Sequence, residues 1–169
     1  MNLRLPHLNL VLTALILGAI AAPSVSVARD ALRNALCNSF PEGVGCVAVV
    51  ACIGEAGRWL KGVAIGQTDG AIYATTNDGV ECSGTWTSKN WYGAGQTNMN
   101  CADGLTARVV YTYQDRESGT AYGKGRTNTG ERVVGWAGTR LLADMRVLNG
   151  TDPDEPAMLV CGSKAIPLE

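Results

Sequence analysis

Six cysteines, one histidine and a scatter of carboxylates are the residues of this 169-residue chain whose types do chemistry. The histidine, His7, lies in a leading segment that reads as removable. Without it no imidazole is left to act as base or ligand. This excludes Ser-His-Asp and Cys-His catalysis, His-ligated zinc and c-type haem attachment. The cysteines (Cys37, Cys46, Cys52, Cys82, Cys101 and Cys161) include no C-x-x-C pair, so neither a thiol oxidoreductase nor a zinc ribbon is expected. An even count behind an export signal implies three disulfides formed in an oxidising compartment, with 15 connectivities open.

The remaining acid/base material is Glu55, Asp69, Asp78, Glu81, Asp103, Asp115, Glu117, Glu131 and the C-terminal group. Two carboxylates suffice for a glycosidase, so a carboxylate-based glycosidase is the third-ranked reading. Asp78 and Asp103 sit in equivalent turns, where Asp is expected for backbone reasons. Either could meet a calcium ion together with Asn77 or Asn100, but the spacing matches no calcium-loop motif. No cofactor is expected. The Gly-x-Gly pairs at 93/95 and 123/125 precede strand-like segments instead of helices, so they read as glycines packed against aromatic rings and not as phosphate loops.

One aromatic pair stands apart. Trp91 and Tyr92 fall in Lys89-Asn90-Trp91-Tyr92-Gly93, where a hairpin tip would ordinarily be polar. They are the candidate ligand-binding residues, with Asn90 and Lys89 beside them to meet a sugar or a partner. The competing reading folds them back over the sheet as a minicluster. Trp59 and Trp136 are expected to cover the core face of the sheet.

The leader has three parts. Arg4 supplies positive charge, Leu8 to Ala22 is an almost unbroken apolar run, and Pro23 with Ser26-Val27-Ala28 supplies a break and a cleavage site. Fifteen apolar residues rise about 22 Å as a helix, short of a bilayer core of roughly 30 Å. The expected organisation is a signal peptide over 1–28 and one disulfide-bonded β domain over 29–169, periplasmic or secreted, with no stable membrane span after cleavage; the rival reading is an uncleaved anchor. Cleavage leaves 13 basic against 15 acidic residues, a net charge of −2. That balance gives no electrostatic case for nucleic acid or anionic lipid.

Within the mature part, Asp30 to Cys37 has helical spacing, with Asp30 as cap and Leu32, Ala35 and Leu36 on one face. Cys46 to Cys52 reads as a buried strand. Eighteen of the 21 glycines and nine of the ten aromatic residues lie between Gly43 and Gly138, a composition for strands and turns. Tyr92-Gly-Ala-Gly-Gln-Thr-Asn98 returns as Tyr122-Gly-Lys-Gly-Arg-Thr-Asn128, with a weaker copy at Tyr73-Ala-Thr-Thr-Asn77.

Register follows from alternation. Setting Cys82 opposite Cys101 puts Cys82, Gly84, Trp86, Thr97, Met99 and Cys101 on one face, and leaves the other wholly polar. The two sulfurs then meet across a non-hydrogen-bonded pair. A three-residue loop at Ala102-Asp103-Gly104, with Gly104 left-handed, continues the apolar face through Leu105, Ala107, Val109, Tyr111 and Tyr113. The pairs Cys37–Cys46 and Cys52–Cys161 complete the expected set. After Gly138, Leu141 to Leu148 fits a strand or a short helix, Asn149-Gly-Thr151 is a turn and a glycosylation sequon, and Met158 to Cys161 reads as a closing strand.

Gly79-Val-Glu-Cys82-Ser-Gly84-Thr-Trp86, then Gly93-Ala-Gly95 and Asp103-Gly104, follow the order of a MORN-type repeat, with Cys82 in place of an aromatic. Gly123-Lys-Gly125 and Gly130 to Trp136 give a partial second pass. The chain thus resembles MORN arrays over roughly residues 70 to 138. The resemblance implies a single-layer sheet serving as scaffold or as a protein- or lipid-binding surface. The fold expected is mainly β: an antiparallel meander of Gly-rich hairpin repeats, about three of them, with a short N-terminal helix and disulfides. The leading function is a non-catalytic structural or protein-binding module of the envelope or extracellular space. A polysaccharide- or peptidoglycan-binding module comes second.

Overall fold

A computed structural model describes residues 31–41, 44–115, 119–152 and 154–168. The segment read as a signal peptide, the cap at Asp30 and Glu117 lie outside the described residues. A short helix α1 (Ala31–Cys37) precedes eight strands: β1 (Cys46–Ile53), β2 (Arg58–Gly66), β3 (Asp69–Thr76), β4 (Glu81–Thr87), β5 (Gln96–Cys101), β6 (Thr106–Asp115), β7 (Thr120–Thr127) and β8 (Arg132–Gly138). Each strand pairs antiparallel with the next, and β8 returns to β1, closing an up-and-down barrel. Helix α2 (Leu141–Asn149) and a separate hairpin, β9 (Met158–Cys161) with β10 (Lys164–Pro167), follow.

The meander is therefore present, but it wraps into a barrel instead of stacking about three equivalent hairpins. Closure satisfies both edges of the sheet. Leu141 to Asn149 is a helix, ended by Gly150 in the left-handed conformation (φ 65). Met158 to Cys161 is a strand, yet it pairs with β10 outside the barrel.

Strand β1 explains its own sequence. Its alternate residues Val49, Ala51 and Ile53 point into the lumen, while Ala48, Val50 and Cys52 point outward beneath α2 and β9. Buried on both faces, it reads as one continuous apolar run. Strands β3 to β7 are apolar inward and mostly polar outward, whereas β2 and β8, which flank β1, also carry apolar outward residues such as Val63 and Trp136. Asn98, Asn100, Thr85 and Arg108 all face solvent, the reverse of a barrel whose outer wall faces lipid. No helix among the described residues is long and apolar enough to cross a membrane.

Three disulfides tie the architecture. Cys37–Cys46 pins α1 to the start of β1, Cys52–Cys161 pins β9 to its end, and Cys82–Cys101 links β4 to β5. Three bridges indicate an oxidising compartment. Cys82 does face Cys101, with Gly84 opposite Met99 and Trp86 opposite Thr97. The Ala102 N–H donates to the Glu81 carbonyl, so the cysteines form a non-hydrogen-bonded pair.

Trp59 and Trp136 belong to the outer core, packed against Val50, Leu141 and Leu159, and not to the face that lines the lumen. Tyr113 is likewise outside. A register shift between Tyr111 and Tyr113 turns it away from the lumen, and it is 56% exposed. A β-bulge does this by adding one residue to one strand, which moves every later side chain to the opposite face.

Candidate functional site

The two ends of the barrel differ chemically. At one end the β1–β2, β3–β4 and β5–β6 turns converge on Arg58. Its Nη2 donates to Asp103 Oδ2 at 2.7 Å, and its Nε lies 3.5 Å from Asp78 Oδ2. Asp103 also accepts from the Leu105 N–H (3.0 Å). The Arg58 hydrogen bond, then the Leu105 one, hold its carboxyl below the ordinary range. A carboxylate so stabilised in its charged form is a turn anchor and a poor proton donor. Asp78 accepts from Thr76 Oγ1.

Asn77 is used locally as well. Its Oδ1 accepts from the Trp59 N–H (3.0 Å) and its Nδ2 reaches the Gly57 carbonyl (3.5 Å). Asn128 repeats this latch on the β5–β6 turn, accepting from Thr106 N–H and donating to the Gly104 carbonyl. Among the described residues no three His, Cys, Asp or Glu side chains converge to hold a metal ion. With Leu60, Ile53, Met99 and the Cys82–Cys101 bridge packed just inside, this end is sealed.

Among the described residues the opposite end is open. A cavity of about 280 Å³ lies at the mouth, with Val47, Ala64, Trp86, Tyr111, Ala121 and Ala137 in its wall. Gln114, Thr68 and Ser88 stand at its rim. Deeper in the lumen is an apolar void of about 50 Å³ bordered by Val49, Ile72, Met99 and Val109. The two share Ala64, Tyr111, Ala121 and Ala137.

Large rings and missing side chains shape this mouth together. Trp86 lies against Gly70 and donates its indole N–H to the Ile65 carbonyl (3.0 Å). Tyr111 occupies the space that side chains at Gly95 and Gly123 would fill, and its hydroxyl pairs with Thr97 Oγ1. Burial raises the Tyr111 pKa, and the Thr97 hydrogen bond acts against that rise. The phenol is thus a neutral group, hydrogen-bonded to Thr97, at the neck of a mostly apolar tube.

The loop from Ser88 to Gly95 rises from the same open end. Trp91 and Tyr92 at its tip are 91% and 84% exposed, so they do not fold back over the sheet. Asn90 shapes the tip: its Oδ1 accepts from the N–H groups of Tyr92 (2.9 Å) and Ala94 (3.0 Å), and its Nδ2 points to Gln96 Oε1 (3.4 Å). Those bonds make Asn90 a loop organiser. The Lys89 N–H reaches Thr87 Oγ1 (3.4 Å), and its carbonyl accepts from the same hydroxyl. The sequence singled out this tip but not the lumen beside it. The signal for the lumen was the run of small inward residues, Ala64, Ala121 and Ala137, which acquires meaning only once the sheet closes.

The geometry defines a class: a closed eight-stranded antiparallel meander barrel with one sealed and one open end. No family model and no curated relative matches the sequence. Among solved structures, the chain is similar to a redesigned β-barrel, mFAP0, bound to DFHBI, at 17% identity and TM-score 0.44, covering 56% of this chain and 95% of that one. It is also similar to a de novo designed fluorescence-activating β-barrel, at 17% identity and TM-score 0.44, covering 64% of this chain and 96% of that one.

Proposed function

We propose that the mature chain is a non-catalytic binding module of the cell envelope or extracellular space, and that it takes a small, largely apolar ligand end-on into the barrel mouth. The observation that carries this reading is the cavity of about 280 Å³, open among the described residues, above an apolar lumen whose far end is sealed. Its size lies near the lower limit of small-molecule pockets, about 300 Å³. It suits a small aromatic body or a short chain, with a polar or charged group left at the Gln114 rim. Export by the leader over residues 1–28 and the three disulfides suit a periplasmic or secreted setting.

The test uses anilinonaphthalene sulfonate as probe. It should bind with unit stoichiometry, and Ala137→Leu, which fills the mouth, should abolish binding without unfolding the barrel. Native mass spectrometry of protein purified from its own host checks for a co-purifying small molecule. Unchanged dye binding in Ala137→Leu and Ala121→Leu would place the site elsewhere.

The exposure of Trp91 and Tyr92 favours a second reading, in which the tip inserts into a protein or glycan of the envelope. Exposed aromatic residues on a braced loop are the usual anchors of such contacts.

A further inference from the structure

The outer face of β6 to β8 carries a feature that the mouth does not use. Register sets Arg108 opposite Arg126, and Arg126 opposite Arg132. Three guanidinium-bearing positions therefore stand side by side, spanning about 10 Å at a strand spacing of about 4.8 Å. Lys124 lies two residues before Arg126 on β7, on the same face, and all four are exposed. Like charges directly opposite one another destabilise a sheet, yet none of the four has an ion pair among the described residues. Their contacts are neutral: Arg108 Nη2 donates to Gln96 Oε1 (2.6 Å) and Arg126 Nη1 to the Gly130 carbonyl (2.8 Å). The neighbouring carboxylate of Glu131 is met by Thr129 Oγ1 instead (3.1 Å).

Beyond Lys124 the same face presents an aromatic shelf. Tyr122 and Trp136 are cross-strand partners with ring centroids 5.2 Å apart, tilted by 47°. The Lys124 ammonium lies 5.5 Å over the Tyr122 ring. Both rings border a cleft of about 270 Å³ that Arg132, Asn149 and Glu55 also line.

We propose that this face binds an acidic polysaccharide, a chain of sugar rings bearing carboxylate or sulfate groups. A straight row of arginines matches anions repeated along a chain, and each planar guanidinium can grip a carboxylate or sulfate bidentately. The Tyr122–Trp136 shelf offers apolar ring faces for the C–H side of a sugar, with the indole N–H as a polar handle. An anionic bilayer fits poorly, because Asn98, Asn100 and Thr106 flank the row on the β5 side, and the half-buried Tyr122 and Trp136 rings line a cleft instead of projecting for insertion. Duplex nucleic acid fits poorly because the cations are few and the mature chain is net negative.

Retention and titration calorimetry of the oxidised mature protein test this with polygalacturonate and dextran sulfate as probes and neutral dextran as control. Both acidic polymers should bind, neutral dextran should not, and added salt should weaken binding. Arg126→Gln and Arg132→Gln should each weaken binding about tenfold, with the melting temperature equal to or above that of the parent, since opposed charges are relieved. Arg126→Lys should restore part of the affinity. The proposal is overturned by unchanged affinity in the Arg126→Gln/Arg132→Gln double variant, or by equal binding to neutral dextran. Preference for a 20-base-pair duplex or for phosphatidylglycerol vesicles overturns it too.

Discussion

Arg58 and Asp103, 45 positions apart in the chain, meet at 2.7 Å across the sealed end of the barrel. Through Arg58 Nε and Asp78 the same guanidinium reaches a third turn. One side chain thus gathers the β1–β2, β3–β4 and β5–β6 hairpins, which local sequence sets only one at a time.

That contact predicts an acid-sensitive closure. The Arg58 hydrogen bond lowers the Asp103 pKa below 3.8, so its contribution is complete above the unfolded-state value. It is lost as pH falls through the lower folded-state value. Asp103 is a third exposed, so solvent screens the pair and the effect is modest. Asp103→Asn should melt earlier than the parent at pH 7, and the two melting temperatures should converge below pH 3.8. Melting curves at stepped pH measure this, and a gap that stays constant into acid would assign the loss to the turn alone.

A second expectation concerns Cys82–Cys101, which closes a loop 19 positions in separation. Chain entropy gives such a bridge about 3 kcal/mol. The double variant Cys82→Ala/Cys101→Ala should lose about that amount by urea unfolding, while the Cys37–Cys46 and Cys52–Cys161 bridges still form. Non-reducing peptide mapping verifies the pairing, and Cys82 joined to any other cysteine refutes the β4–β5 register.

These two contacts mark what the sequence could and could not say. The β4–β5 register was legible because alternation separates Met99 and Trp86 from Asn98 and Thr85, and only one register keeps them apart. The Asp103-Gly104 turn was legible for the same reason, since a two-residue turn would carry Arg108 inward. Closure was not legible, because no local rule joins Val50 to Trp136 across the β1–β8 seam. The repeat misled in an instructive way. Tyr92–Asn98 and Tyr122–Asn128 share letters, yet Asn98 lies within β5 while Asn128 begins a turn. The weaker copy ending at Asn77 is the true structural counterpart, because Asn77 and Asn128 make the same latch. Arg108, Arg126 and Arg132 become neighbours only through cross-strand register, so the near-zero net charge concealed them.

Two glycines should respond differently to alanine. Gly104 sits at φ 86 with open space around it, so Gly104→Ala strains the turn by about 1–2 kcal/mol. Gly84 has no such dihedral, but a Cβ there would collide with the Asn98 carbonyl and the Met99 Cα on the neighbouring strand. Closely approaching backbones mark the bends that let a sheet close. Gly84→Ala should therefore cost more than Gly104→Ala in chemical denaturation. The reverse order would mean that closure does not depend on the bend at Gly84.

Trp91 and Trp86 separate ligand contact from architecture. Trp91 is 91% exposed at a tip braced by Asn90, so Trp91→Ala removes almost no packed surface and should leave the thermal midpoint unchanged. Burying the Trp91–Tyr92 pair against a partner contributes several kcal/mol, at about 25 cal/mol per Å² of apolar area. Partner retention should therefore fall. Trp86 packs over Gly70 with its indole N–H on the Ile65 carbonyl, so Trp86→Ala opens the mouth and should cost about 3 kcal/mol. The measurement pairs calorimetric melting with pull-down from envelope extracts for both variants. If Trp91→Ala melts early and still retains its partner, the tip is architecture, and binding belongs to the lumen or the outer wall.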